Sequence, residues 1–101
     1  MGTRIELQHI LESFLGSDQV YYQPPETIRM TYPAIIYERS GIATKKADDV
    51  TYKKDNRYMI IVIDKRPDNK VIDKILELPM ASHDRHYISD NLNHDSITLY
   101  F

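Results

Sequence analysis

The chain has 101 residues, 42% hydrophobic and 28% charged, with a formal net charge of -2 and a pI near 6.0. That suffices for one globular domain around one core and does not resemble a disordered composition. The slight acidity argues against a dedicated duplex-DNA binder, and zero cysteines exclude disulfides and cysteine-ligated zinc.

Thr3-Arg4-Ile5-Glu6 has the pattern of a capping box. Leu7, Ile10, Leu11, Phe14 and Leu15 follow at spacings of three and four, which predicts a helix with one buried stripe. Gly16 supplies its left-handed stop. Val20-Tyr21-Tyr22 predicts a brief edge strand, halted by Pro24-Pro25. Ile28, Met30 and Tyr32 alternate with polar residues, so Thr27 to Tyr32 is expected to pair weakly.

Ala34 to Arg39 and Tyr58 to Ile63 are the two most apolar segments, and the second is expected at the centre of the sheet. Their near-continuous apolarity predicts cover on both faces. Between them, Ser40 to Arg57 is polar and reads as a loop far longer than a hairpin connection. A second helix is expected after an Asp68 N-cap, with Val71, Ile72, Ile75 and Leu76 as its stripe and Pro79 as its stop. The closing segment predicts one or two strands around the turn cluster Ser89-Asp90-Asn91-Leu92-Asn93, with Ile97, Leu99 and Phe101 on one face. The resulting class is α+β: one domain over residues 1–101, with a small mostly antiparallel sheet and two helices mainly on one face. The other face is left to solvent or to a partner.

Candidate chemistry is sparse. His83, Asp84 and His86 sit close together, with Asp90 and His94 beyond, and imidazole with carboxylate suits zinc or iron. On a strand, however, residues three apart face opposite ways, so His83 and His86 could converge only in a turn. Asp64-Lys65 is a weak echo of a metal-nuclease strand, with the lysine facing away from the acid. There is no glycine-rich phosphate loop and no nucleophile motif, so neither catalysis nor a cofactor is expected. No basic-then-apolar N-terminal run suggests a signal peptide, and no apolar run reaches bilayer length, which predicts a soluble intracellular protein with no membrane partner.

Eight tyrosines against no tryptophan is an unusual balance. Tyr37, Tyr58 and Tyr100 are expected on sheet faces, whereas Tyr21, Tyr22, Tyr32 and Tyr52 lie near predicted loops and are better placed for contacts. Lys45, Lys46, Asp48, Asp49, Tyr52, Lys53 and Lys54 form a mixed-charge docking surface in the long segment. Tyr21 and Tyr22 are candidate edge contacts. One copy's lysines could meet the next copy's aspartates.

Leu15-Gly16-Ser17, Val20 to Pro25, Tyr32 to Tyr37, Ala47-Asp48-Asp49 and Asp90 to His94 resemble small neck and tail-module proteins of tailed phages and prophages. These are described as minor capsid, tail-completion or head–tail joining proteins. The element order is similar to the lambda-type tail-terminator fold, an α+β subunit that assembles as a hexameric ring. The resemblance implies a homo-oligomer that caps the tail tube and meets tail-tube and head-connector proteins. It implies a place in the virion neck after assembly in the bacterial cytoplasm, DNA passing through the ring without sequence-specific contact, and a long inter-strand loop contributing to the ring. That loop, Ser40 to Arg57, is expected to become ordered on assembly.

Overall fold

The computed structural model describes residues 3–24, 30–47 and 50–101, apart from the side chains of 42–55. The elements are α1 (Arg4–Leu15), β1 (Val20–Tyr22), β2 (Ala34–Ala47), β3 (Val50–Asp64), α2 (Lys70–Leu76), β4 (Ala81–Ser89) and β5 (Leu92–Tyr100). The strands form one sheet in the order β1-β2-β3-β5-β4, with β3 at its centre as its apolarity requires. Every pairing is antiparallel except β1 with β2, which is parallel. The fold is therefore α+β with a mostly antiparallel sheet.

Both helices bury their stripes against the same sheet face. Leu7 and Leu11 of α1, with Val71 and Ile75 of α2, share a core with Ile35, Tyr37, Tyr58, Ile60, Val62, Ile97 and Leu99. Thr3 caps α1 by accepting from the Glu6 amide at 3.2 Å, while its hydroxyl donates to the Glu6 carboxylate at 3.2 Å. Gly16 ends the helix at φ 76°, where its amide reaches the Glu12 carbonyl. Tyr37 pins α1 to the sheet: its hydroxyl donates to Gln8 Oε1, Gln8 Nε2 donates to the Val20 carbonyl at 3.0 Å, and Arg4 Nη1 donates to the Tyr37 oxygen. Desolvation by burial pushes the Tyr37 hydroxyl above its ordinary pKa, against the opposing pull of Arg4.

Four expectations are corrected. The segment Ser40 to Arg57 is not a long loop: β2 continues to Ala47 and β3 begins at Val50, so it is the outer part of one hairpin. Polar residues can continue a ladder because backbone groups make its bonds, and Ile42, Thr44, Val50 and Thr51 favour extended chain. The N-cap of α2 is Asn69 rather than Asp68; Asn69 Oδ1 accepts from the Val71 amide at 2.8 Å, and Asp64 Oδ2 holds the Asn69 amide group at 2.7 Å. Residues 30–32 are not a strand, and the rest of the expected weak strand, 27–29, lies outside the described residues. Finally, His83 and His86 share a face. The register slips between His83 and Arg85, so Asp84 is an extra residue that turns the strand by one position.

Candidate interaction surfaces

The outer hairpin leaves the sheet as a two-stranded ribbon. On one side, β1 pairs with β2 only from Ile35 to Tyr37, and the last bond runs from the Gln23 amide to the Tyr37 carbonyl at 2.9 Å. On the other side, β5 pairs with β3 as far as Arg57 and Tyr100, after which Asn56 and Phe101 exchange two backbone bonds of 3.3 and 2.9 Å. Beyond these points β2 and β3 pair only with each other among the described residues. At about 3.4 Å per residue, the run Gly41 to Ala47 projects roughly 20 Å. The molecule accordingly measures 50 Å along one axis and 23 Å along the other two.

A bulge marks the ribbon's base. Arg39 pairs with Tyr58 and Gly41 with Arg57, which leaves Ser40 as an extra residue. Arg57 fastens this kink: its Nε donates to Ser40 Oγ at 3.1 Å, its Nη2 donates to the Ser40 carbonyl at 3.0 Å, and Ser40 Oγ donates to the Arg57 carbonyl at 3.2 Å. A Cβ on Gly41 would lie 2.9 Å from Arg57 Nη2, so the absence of a side chain leaves the guanidinium its place. A second slip between Lys45 and Lys46 makes Tyr52 the extra residue on β3. Bulges increase local twist, so the ribbon is not a flat extension of the sheet.

The helix-free sheet face carries half-buried Ile36, Met59 and Ile61. Hollows of about 410 and 330 Å³ lie to either side of Met59 and Ile61. The first is walled by Gln23, Pro24, Met30 and Glu38, and the second by Arg85, Tyr87 and Ser96. Tyr87 has Arg85 4.4 Å over its ring and His94 stacked on it at 4.8 Å.

The expected contact residues divide between these places. Lys45, Lys46, Tyr52, Lys53 and Lys54 all fall on the ribbon backbone, with Lys45 opposite Lys53 and Thr44 opposite Lys54 in register; Asp48 and Asp49 lie outside the described residues. Tyr22 is engaged within its own domain, 5.0 Å from the Tyr37 ring with Arg4 stacked over it at 4.6 Å. Tyr21 lies opposite Ile36 in register and donates to Gln19 Oε1 at 2.6 Å.

Asp95, which no sequence motif marks, is a centre of polar organisation. It is 6% exposed, and its Oδ1 meets His83 Nε2 at 3.0 Å and His86 Nδ1 at 2.9 Å. Its alternation with Ile97 and Leu99 could have placed it on the inner face, but only the Asp84 bulge brings both imidazoles to it. Among the described residues, no group of three His, Cys, Asp or Glu is arranged to hold a metal ion. No helix among them is long and apolar enough to cross a membrane. Neither a protein-family model nor a curated protein matches this chain.

Proposed function

We propose that the chain is a structural protein that assembles head to tail into a ring, with the ribbon as its coupling element. The ring would cap the tail-tube end of a tailed phage and join it to the head connector in the virion neck. The observation that carries the reading is a ribbon whose two edges are unpaired among the described residues. A two-stranded hairpin is marginal in water by itself, and bare strand edges are a standing template for pairing with another chain. A 101-residue chain that extends such an element has a use for it in assembly. The similarity of element order and of the quoted motifs to neck and tail-module proteins supplies the particular setting. The role needs no catalysis, no cofactor and no sequence-specific reading of DNA.

Light scattering after size exclusion tests this, on the chain alone and with tail-tube protein. The intact chain is expected to assemble as concentration rises. A variant that joins Gly41 to Asn56 through a two-residue turn should remain monomeric with the far-UV dichroism of a folded body. An intact chain that stays monomeric at high concentration with tube protein present, or a shortened one that assembles equally well, would sink the proposal. The two hollows beside Met59 and Ile61 favour one alternative, an adaptor that binds a single partner on its helix-free face. Another connector layer of the neck is the other alternative. A one-to-one complex with no self-association would select the adaptor.

A further inference from the structure

The ribbon's two edges, bare among the described residues, differ in sequence and direction yet lie at the same height. Register places Ile42 opposite Asn56 and Ala47 opposite Val50, so the unpaired runs 42–47 and 50–55 flank the same stretch of ribbon. One edge is offered by β2 and the other by β3, and the two strands are antiparallel. In a ring all copies point the same way along the axis. The β2 edge of one copy then lies beside the β3 edge of the next, antiparallel and without axial shift.

We infer that the ribbons of adjacent copies pair edge to edge, β2 against β3 of the next copy, into one closed antiparallel barrel. The inference rests on the ring reading and adds which atoms make the contact: the backbone amides and carbonyls of 42–47 and 50–55. The occupant of each edge is a second copy of this chain, for three reasons on the same element. Antiparallel pairing is the more stable kind and continues the alternation within the hairpin. The head-to-tail arrangement satisfies both edges of every copy, whereas two-fold pairing of β2 with β2 leaves every β3 edge bare. Of the body's two outer strands, β1 spans only three residues and β4 is unsuited to the task. The latter is bulged at Asp84 and carries exposed His83, Asp84, Arg85 and His86, which are features that discourage strand addition.

Amide-resolved hydrogen exchange on the full chain, dilute and assembled, tests the pairing. In a lone hairpin only alternate amides of each strand bond inward, and the outward ones are open to solvent. Assembly is expected to slow the outward amides of 42–47 and 50–55 by about tenfold or more while inward ones change less. An assembly whose outward amides exchange as in the monomer overturns the strand pairing and leaves the ring reading standing. Failure to assemble at any concentration removes both. The chain has no cysteine of its own, so Ala43→Cys and Thr44→Cys, each alone, distinguish the arrangements. Head-to-tail pairing leaves each variant monomeric on a non-reducing gel after oxidation of the assembly; a covalent dimer overturns the proposal in favour of two-fold pairing.

Discussion

Tyr37 shows how one side chain ties the first helix to the sheet. Its ring is fully buried between Tyr22 and Tyr58, while its hydroxyl serves Gln8 and Arg4. Replacement by phenylalanine keeps the packing and removes the hydroxyl, which should cost about 1 kcal/mol at neutral pH. The same group also gives a pH signature. Burial raises its pKa in the folded state above the ordinary 10.0, so the folded chain holds the proton more tightly than the unfolded one. The associated stability is complete below pH 10 and is lost as pH rises through the folded-state value. Urea unfolding at successive alkaline pH values should therefore show the gap between the native chain and Tyr37→Phe narrowing above pH 10. A constant gap would contradict this account. The sequence announced Tyr37 only as a strand residue with high propensity; its hydroxyl partners come from α1, 29 and 33 positions earlier in the chain.

At the scale of elements, composition marked where regular structure is, while register decided what it does. The α1 stripe, the central position of Tyr58 to Ile63 and a turn within Ser89 to Asn93 were legible because each depends on local chemistry. Within that cluster Asp90 and Asn91 adopt φ of 52° and 62°, the left-handed pair a tight hairpin demands. The bulges at Ser40, Tyr52 and Asp84 were not legible, since a slip of one residue depends on a partner strand distant in sequence. Two differences follow from that: polar residues 40–57 continue a ladder rather than a loop, and His83 and His86 share a face rather than alternating. The second has a measurable counterpart. Asp95 couples β5 to two imidazoles of β4, with side-chain exposures of 8% for the carboxylate and 35% and 38% for the rings. Asp95→Ala should destabilise the chain by about 1–2 kcal/mol and loosen β4 before the rest of the sheet. Fluorine or proton resonances of the two histidines would report this, and an unchanged melting midpoint would mean the cluster contributes nothing.

For the molecule as a whole, the proposed ring separates two jobs. The helices and five-stranded sheet form a body that buries one face, and in the proposal the ribbon carries what the body lacks, a surface completed by neighbouring copies. The fold class was readable from the sequence because one buried face imposes its period on every element. The proposed strand pairing was not, because bare hydrogen-bonding groups leave no trace in residue type. The kink at Ser40 then acquires a meaning beyond its own three hydrogen bonds to Arg57. When identical subunits join around an axis, the angle each one contributes fixes how many close the circle. Deleting Ser40 should straighten the ribbon and alter the subunit count rather than the strength of association, a change that native mass spectrometry would read as a different integer.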